Sequence, residues 1–275
     1  MHWLIQLCIV LLASLMTRGS SNAMSDPNIE VAMTSNIRSV EEVIDISLPG
    51  RVFEVAGIPV SDIEETDVEI SFVGDVPTVQ IDGYDVMIPR NYPQSVFTTK
   101  WAYIADDVMG VEGFDNDGKL LFAMAQSLEP NIVEDFYGPE MDVDCLDVAW
   151  PFRAGEDWEL TGGYGHCGGC PSPYAVDLNR RWPNSDDCGA FILNPGYGNV
   201  HTIGWDAYGY GNYIDITHQR TWSRTAHLQE SSWNYTEPTH TLPAGTGVGH
   251  CGSTGRSSGC HIHFELFDRA SGRGI

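Results

Sequence analysis

Residues 259–267 alternate between polar and apolar side chains and carry a His-x-His pair. Because successive side chains of a β-strand point to opposite faces, His261, His263 and Glu265 are expected to share one face, while the apolar residues between them anchor the strand in a core. The pattern therefore predicts a half-buried strand with two imidazoles on its open face. Taken alone, such a pair is as consistent with two surface histidines as with a metal site.

Two further positions supply side chains of the type that bind metals. His166 ends a glycine-rich run, and Asp177 follows it by eleven residues in a short apolar segment. Imidazole nitrogen and carboxylate oxygen both suit zinc, and three protein ligands leave a fourth position open, as in catalytic rather than structural sites. A histidine, an aspartate and a second histidine would form such a set. His227, which lies in another predicted strand, is then one of two imidazoles left over.

Residues 150–267 resemble the lysostaphin-type zinc endopeptidases, the LytM-like peptidoglycan endopeptidases, which include the β-lytic metallopeptidases that cut bacterial cell-wall peptides. Each motif is weak alone, but all of them occur in family order. The motifs are the glycine-rich run at His166 with the later Ala-Val-Asp177, the Ala-His227-Leu segment, the Gly-Ser-Thr-Gly run at 252–255, and His261-x-His263-Phe-Glu. The resemblance implies a largely antiparallel β-sheet catalytic domain.

The resemblance also implies a role for each candidate residue. His166, Asp177 and His263 would bind one zinc ion, and His227 and His261 would be the catalytic histidines. Zinc lowers the pKa of a bound water from about 16 to about 7, and a free imidazole beside it can accept the proton. We expect His261 to be the general base, because it lies two residues from a ligand on the same strand face, and His227 to stabilise the oxyanion. The reverse assignment stays open.

The spacing of eleven positions from His166 to Asp177 is longer than in the commonest members of the family and resembles that of the β-lytic branch. His250 occupies a place where such proteins usually have a small or apolar residue. It is interpreted as a surface histidine, with a substrate contact as the alternative. The remaining histidines, His201, His218 and His240, fit no role in the predicted site.

The first 23 residues have the pattern of an export signal. An apolar run from Trp3 to Met16 is followed by small and polar residues that suit a cleavage site. The run is short for a membrane-spanning helix, which needs about 20 residues. We therefore expect a secreted or extracellular protein, or alternatively a periplasmic one, with no membrane insertion after the signal is removed.

Cysteine usage agrees with an oxidising compartment. Six cysteines follow the predicted signal, an even number that allows three disulfides. Cys251 and Cys260 flank the glycine-rich turn before the predicted histidine strand, and we hypothesise a bridge between them that would fix this turn. Cys167 and Cys170, separated by two glycines, are predicted to form a local or crossed structural disulfide.

Negative charge is concentrated in the front half of the chain. Residues 24–160 contain 29 acidic and 6 basic side chains, whereas residues 161–275 contain 9 and 7. This imbalance disfavours nucleic acid and anionic membranes as partners, because both require clustered Lys and Arg. A solvated, solubility-giving surface or adaptation to salt is the simpler interpretation of the acidic half, and a propeptide that covers the metal cleft is the alternative.

The charge map and the hydrophobic pattern together predict a mainly β protein with an acidic β-rich accessory domain or pro-domain in front of an antiparallel β-sheet metallopeptidase domain. Strand-like alternation occurs in four front-half segments: Arg51–Val60, Asp67–Val73, Thr78–Pro89 and Lys119–Met124. The predicted divisions are a signal peptide at 1–23, a loosely ordered leader at 24–42, the accessory domain or propeptide at 43–148 and the metallopeptidase domain at 149–275.

Aromatic residues crowd the segments between the predicted site strands. They would either line a substrate groove or fill the core of a small domain. They are Trp205, Tyr208, Tyr210, Trp222, Trp233 and Tyr235. The expected function is that of a monomeric, secreted zinc endopeptidase acting on peptidoglycan cross-bridges or similar Gly-rich peptides. The alternative is an inactive zinc-containing relative that binds cell wall or signals.

Overall fold

The computed structural model of the chain describes residues 52–93, 96–128, 148–166, 170–181, 187–229 and 238–275. The predicted signal peptide and leader lie outside the described residues, as do Cys167, Trp233 and Tyr235. Within the described residues, no helix has the length and apolar character needed to cross a membrane.

Strands account for nearly all of the regular structure. The described residues contain two helices, α1 (Val52–Ala56) and a 3-10 turn (Val60–Asp62). The strands are β1 (Glu64–Glu69), β2 (Ser71–Val73), β3 (Val76–Ile81), β4 (Tyr84–Met87), β5 (Val96–Ala105), β6 (Val108–Phe114), β7 (Leu120–Ser127), β8 (Trp158–Gly162), β9 (Val176–Arg180), β10 (Phe191–Leu193), β11 (Gly198–Asp206), β12 (Gly211–Thr217), β13 (Thr221–Leu228), β14 (Thr241–Leu242), β15 (Gly247–His250) and β16 (Ile262–Asp268).

One large sheet organises the molecule. It has 11 strands in the order β1-β5-β6-β7-β11-β12-β13-β16-β9-β8, with β14 paired to β11, and every strand pair in it is antiparallel. Strands β2, β3 and β4 form a separate three-stranded sheet, and β10 pairs with β15. The prediction of a mainly antiparallel β fold is thus confirmed.

The large sheet runs without interruption from the acidic front half into the back half. Strand β7 pairs with β11, in a register that sets Phe122 opposite Asp206 and Gln126 opposite Thr202. The main hydrophobic core also draws on both halves of the chain. Its front-half members are Val52, Phe53, Ala102, Val108 and Ala125, and they belong to one cluster with back-half residues that include Val200, Ile203, Ile214 and Phe264.

One of the four strand predictions in the front half is wrong. Residues 52–56 of the Arg51–Val60 segment form α1, in which the adjacent Val52 and Phe53 are both buried. The helix ends at Gly57, whose φ of +69° is left-handed. Ile58 N–H donates to Phe53 O at 2.9 Å and Gly57 N–H donates to Glu54 O at 3.2 Å, the pair of bonds that closes a helix C-terminus on glycine.

The other three front-half segments contain strands. Asp67–Val73 spans the end of β1 and all of β2, and Lys119–Met124 overlaps β7. Thr78–Pro89 contains most of the β3–β4 hairpin, whose two-residue turn is Asp82-Gly83 with φ values of +47° and +84°. Both values are positive, as the tight hairpin turns that suit twisted strands require.

Glu112 in β6 is a buried acidic side chain of the front half, and its pKa depends on that burial. It is 8% exposed and faces Lys100 across the strand pair. Burial raises the pKa of Glu112 to about 7, and Lys100 opposes the shift only in part. Because the folded pKa lies above the unfolded one, the native state holds the extra proton, and this contribution to stability is lost as the pH rises from about 4.5 through 7.

Glu112→Gln is therefore expected to stabilise the protein by up to about 2 kcal/mol at pH 8 and by little at pH 5. Urea unfolding at the two pH values measures the difference. Glu69→Gln, which removes the same charge from an exposed position of β1, is the matched control and should show no such pH dependence. An equal effect of Glu112→Gln on stability at both pH values would contradict the raised pKa of Glu112.

Candidate metal centre

Two neighbouring strands and one loop bring three donor side chains together. The register of β9 and β16 places Asp177 directly opposite His263, and Asp177 Oδ1 lies 2.9 Å from His263 Nδ1. His166, in the loop after β8, brings its Nε2 to 3.0 Å from Asp177 Oδ2. Ligand atoms of the three residues all lie within 4.8 Å of one another. The three positions predicted as ligands therefore meet at one point.

Glycine at the end of β8 makes room for the carboxylate. Gly162 pairs with Asp177, and a Cβ at position 162 would lie 2.5 Å from Asp177 Oδ2. The chain then turns back at Gly165, whose φ is +77°, so that the ring of His166 reaches the carbonyl of Gly163. This is the local reason for a glycine-rich run before the histidine: a side chain at 162 would displace the aspartate, and the turn needs a left-handed residue.

The hydrogen bonds of His166 and His263 leave one nitrogen of each facing the carboxylate. His166 Nδ1 lies 2.7 Å from Gly163 O; a carbonyl can only accept, so Nδ1 carries a hydrogen and Nε2 is the nitrogen that faces Asp177. His263 Nε2 lies 2.9 Å from Glu265 Oε1, and Nδ1 is the nitrogen that faces Asp177. Ring nitrogens oriented in this way by an outer acceptor are typical of metal ligands.

The electrostatics of this trio favour a positive charge between its members. Burial lowers the pKa of His263, but hydrogen bonds to Asp177 and Glu265 outweigh it and raise the pKa to about 9. Burial raises the pKa of Asp177, and the hydrogen bond and charge of His263 reverse this, with a net lowering. Two imidazole nitrogens and a carboxylate, with an excess of negative charge, fit a divalent cation such as zinc.

A second group of possible donors is Cys170, His263 and Glu265. Cys170 is disulfide-bonded, so it offers no thiolate to a metal. Glu265 is buried and already accepts from Tyr210 and His263. The first group is therefore the candidate metal centre.

Two more imidazoles border this centre. His261 precedes β16, and its Nε2 lies 3.6 Å from Asp177 Oδ1. The ring of His227 lies 4.6 Å from that of His261 and 5.7 Å from that of His263, centroid to centroid. Burial and the neighbouring His261 lower the pKa of His227 to about 4, so its neutral form prevails in the absence of other charges. All five residues predicted for the site are thus brought together.

A distorted backbone aims His227 at the centre. Ala226 pairs with His263, so regular alternation would send the next side chain to the opposite face of the sheet. His227 instead has φ of +60°, and the pairing of β12 with β13 shifts register between Asn212 and Ile214. Irregularities of this kind cost energy and occur where a side chain must be redirected. Strand periodicity alone could not have predicted the orientation of this side chain.

The glycine-rich run before β16 orients both extra histidines. His227 Nδ1 lies 2.8 Å from Thr254 O, and His261 Nδ1 lies 2.9 Å from Gly259 O, so each ring presents its Nε2 away from the loop. Thr254 is itself held because its hydroxyl donates to Leu228 O at 2.7 Å. Close packing of the loop on Gly211, where a Cβ would meet Thr254 at 2.3 Å, leaves no space for a larger residue.

A buried polar layer lies behind His263. Tyr210 donates to Glu265 Oε1 at 2.6 Å, and burial, followed by the charge of Glu265, raises the pKa of Tyr210 well above its usual range. The guanidinium of Arg224 lies 4.8 Å from the ring centre of Tyr210 and forms two 2.8 Å hydrogen bonds with Asp215. The strand pattern of the sequence predicts Glu265 on the site face but indicates no role for it, and no local sequence signal reveals this layer.

The hypothesis of a Cys251–Cys260 bridge is wrong. Cys260 is bonded to Cys188, with Cα atoms 5.3 Å apart, and Cys251 is a buried free thiol. Burial raises the pKa of Cys251 to about 12. Cys251 is a buried member of the core cluster, whereas Cys260 is only partly buried against that cluster and is bonded to Cys188. A disulfide still adjoins His261, as expected, but it anchors a different segment.

The aromatic residues proposed for a groove divide between core and surface. Tyr210 and Trp222 are 3% and 6% exposed, and Trp222 stacks on Phe267 with centroids 3.8 Å apart, so both are core residues. Tyr208 is 38% exposed. Two other tyrosines, Tyr164 and Tyr174, are exposed and pack edge to face, and they precede His166 and Asp177 in the chain by two and three residues.

The other histidines lie outside the centre. His250 is partly buried against Phe191, with ring centroids 4.7 Å apart. His218 is buried and bonds to Ser223 Oγ at 2.9 Å, and His201 bonds to Thr202 Oγ1 at 2.7 Å. Hydrogen bonding or packing accounts for these three side chains.

Comparison with known proteins finds a family match in the back part of the chain. Residues 185–273 match the family described as Peptidase family M23. The match includes His227, His261 and His263, while His166 and Asp177 precede it. The resemblance to lysostaphin-type peptidases drawn from the sequence is thus confirmed. No curated protein matches the chain.

Several solved structures are similar to parts of the chain. A mutant catalytic domain of the prophage-encoded M23 protein EnpA from Enterococcus faecalis is 21% identical over 46% of this chain and 93% of that one, with a TM-score of 0.34. The catalytic domain of lysostaphin from Staphylococcus simulans is 24% identical over 44% of this chain and 77% of that one, with a TM-score of 0.30. A zinc-containing peptidase from Vibrio cholerae is 18% identical over 66% of this chain and 54% of that one, with a TM-score of 0.34. These likenesses are too distant to assign a substrate or a residue role.

Proposed function

We propose that the protein is a zinc-dependent endopeptidase that hydrolyses peptide bonds in peptidoglycan cross-bridges or similar Gly-rich peptides. The observation that carries the proposal is the convergence of His166 Nε2, an Asp177 oxygen and His263 Nδ1 within 4.8 Å, bordered by two further imidazoles. Three donors with unligated histidines beside them are the composition of a catalytic rather than a structural zinc site. The M23 match over residues 185–273 supports the same reaction class.

His166, Asp177 and His263 would hold one zinc ion through the atoms that now face one another. Bound there, zinc would supply Lewis acidity, which makes water a stronger nucleophile near neutral pH and polarises a carbonyl. The carbonyl of Gly163 and the carboxylate of Glu265 keep the two ligand rings in the required orientation.

His261 is proposed as the general base. His261 does not belong to the proposed ligand set, but its Nε2 lies 3.6 Å from Asp177 Oδ1. Its Nδ1 forms a hydrogen bond with Gly259 O. The ring can therefore accept a proton at Nε2 from the attacking water and return it to the leaving amine. The disulfide at Cys260 and the hydrogen bonds of the loop limit its movement.

His227 is proposed to stabilise the tetrahedral oxyanion of the substrate. Because Nδ1 donates to Thr254 O, Nε2 of the neutral ring is an acceptor, and it becomes a donor to an oxyanion only when it is protonated. Burial disfavours that protonation, so a developing negative charge nearby would have to offset it. The same geometry permits the reverse division of roles between His227 and His261.

The wider assignment is proposed on the sequence features already described. A secreted or extracellular monomer is consistent with the apolar run at 3–16 and the disulfides of Cys188, Cys260 and Cys170. The metallopeptidase region is proposed at 149–275, with the acidic β-rich region at 43–148 in front of it. Exposed Tyr164 and Tyr174 offer aromatic surface beside the centre for a sugar or peptide substrate.

Cleavage assays on the purified chain test the proposed function. Peptidoglycan and a pentaglycine peptide are incubated with the protein alone, with a chelator, and with a chelator followed by zinc, and metal content is measured in parallel. We expect one zinc per chain and cleavage that the chelator stops and zinc restores. Stoichiometric zinc without cleavage of either substrate would indicate an inactive wall-binding or signalling module instead.

A further inference from the structure

Glu265 lies directly behind the proposed ligand His263 and has no exposure to solvent. Its side chain is fully buried, and its Oε1 lies 2.9 Å from His263 Nε2 and 2.6 Å from the hydroxyl of Tyr210. One carboxylate oxygen thus accepts both bonds. Among the described residues its other oxygen, Oε2, has no hydrogen-bond partner. Burying such a group is costly unless the bonds that remain are well maintained.

Tyr210, the second partner of that oxygen, is itself held from two sides. Its backbone N–H donates to Asp206 Oδ2 at 3.0 Å. Arg224 lies over its ring, and the guanidinium is fixed by Asp215 on one side and by a 2.8 Å bond to the carbonyl of Pro89 on the other. The hydroxyl of Tyr210 is therefore presented to Glu265 by buried, hydrogen-bonded neighbours.

From this geometry we infer that Glu265 and Tyr210 are positioning residues for the metal centre. Glu265 accepts a hydrogen bond from His263 Nε2 and so fixes the ring with Nδ1 directed at Asp177, and Tyr210 keeps the carboxylate in place. Neither residue touches the reacting atoms. The inference rests on the proposed function, because it assigns Nδ1 of His263 to the metal.

Tyr210→Phe is the most conservative test, since it removes one hydroxyl and keeps the ring under Arg224. The matched control is Tyr213→Phe: Tyr213 is also buried beneath Arg224, but its hydroxyl lies 3.6 Å from Met124 Sδ instead of on Glu265. Zinc affinity of each full-length protein is measured by competition with a chromophoric chelator. We expect Tyr210→Phe to bind zinc about 10-fold more weakly than the parent, and Tyr213→Phe to match the parent.

Glu265→Gln and Glu265→Ala extend the series. Glutamine retains an acceptor for His263 but lacks the charge, whereas alanine removes both, so we expect losses in zinc affinity of about 10-fold and about 100-fold respectively. Nitrogen-15 NMR of the zinc-loaded proteins, with histidine labelled, reports which ring nitrogen of His263 carries hydrogen; its signal is assigned by its loss in His263→Gln. Thermal melting of the metal-free proteins separates loss of stability from loss of positioning.

The outcomes separate the two proposals. If the parent binds no zinc, the proposed function fails. If the parent binds one zinc and Tyr210→Phe and Glu265→Gln keep the parental affinity and the Nε2–H signal of His263, the zinc site stands and the positioning role is overturned. Weaker zinc binding in both, with Tyr213→Phe unchanged, supports the role.

Discussion

His263→Ala is expected to lose both the bound metal and all measurable peptidase activity, whereas His261→Ala is expected to keep the metal and lose the activity. His263 supplies one of only three proposed donors, and its partner Asp177 would be left with His166 alone. His261 Nε2 faces the centre at 3.6 Å from Asp177 Oδ1 without belonging to the donor set. Loss of a general base reduces turnover by about 10²- to 10⁴-fold.

Zinc content per chain and the cleavage rate, measured on the same preparations, distinguish the two variants. His201→Gln is the control, because His201 is held by Thr202 and lies outside the centre; it should retain both metal and activity. Full zinc content in His263→Ala would refute the ligand assignment. Full activity in His261→Ala would refute the proposed base and transfer that role to His227.

Removal of residues 52–128 is expected to prevent the back half from folding. Strand β11 would lose its partner β7 and expose an unpaired edge at the centre of the sheet. The core cluster would lose Val52, Phe53, Ala102, Val108 and Ala125. At about 1.5–3 kcal/mol for each large apolar side chain, the loss of Val52, Phe53 and Val108 alone removes about 5–9 kcal/mol, which is comparable with the net stability of a typical domain, about 5–15 kcal/mol.

The front half also supports the polar layer behind the metal centre. Tyr92 donates to Asp206 Oδ1 at 3.1 Å, and the carbonyl of Pro89 accepts from Arg224 at 2.8 Å. Without Pro89, the buried guanidinium of Arg224 would lack one of its acceptors, a loss that costs about 1–3 kcal/mol. The acidic half is therefore expected to be a permanent part of the folded unit.

Two measurements check this expectation. Residues 149–275 expressed alone should lack a cooperative thermal transition and should aggregate on gel filtration. In the full chain, a specific protease site inserted between residues 128 and 148 should allow cutting without separation, so that the two pieces co-elute and retain zinc. A soluble, folded and more active 149–275 fragment would instead establish the propeptide interpretation.

The histidine strand illustrates why part of the site was predictable. Alternation of apolar and polar residues in 259–267 depends only on the geometry of one strand, and His263 and Glu265 do share a face. Asp177 could be predicted because its residue type and its place in the order of motifs match the family. Its position opposite His263 depends on the register between β9 and β16, which neither strand determines alone. The orientation of His227 could not be predicted, since its left-handed backbone depends on a register shift between β12 and β13.

The pairing of the cysteines and the burial of the aromatic residues likewise could not be predicted from local sequence pattern. Cys251 and Cys260 are near in sequence, but the fold places Cys260 against Cys188, 72 residues away in the chain. Tyr210 and Trp222 resemble groove residues in a sequence rich in glycine and aromatics, and both are buried behind the site. In each case the decisive neighbour comes from a distant part of the chain, which local pattern does not reveal.

The amino-acid sequence by itself determined the mainly β character of the protein, its strand alternation and the five histidine and aspartate side chains of the site. These properties depend on residue type and on the two-residue period of a strand, both of which are local. Only the tertiary structure decided that one sheet joins the acidic half to the back half, that Glu265 and Tyr210 contact one another behind His263, and that His227 turns toward the candidate centre. These depend on strand register and on packing between distant segments, where burial and hydrogen-bond geometry select one arrangement from many that the local pattern allows.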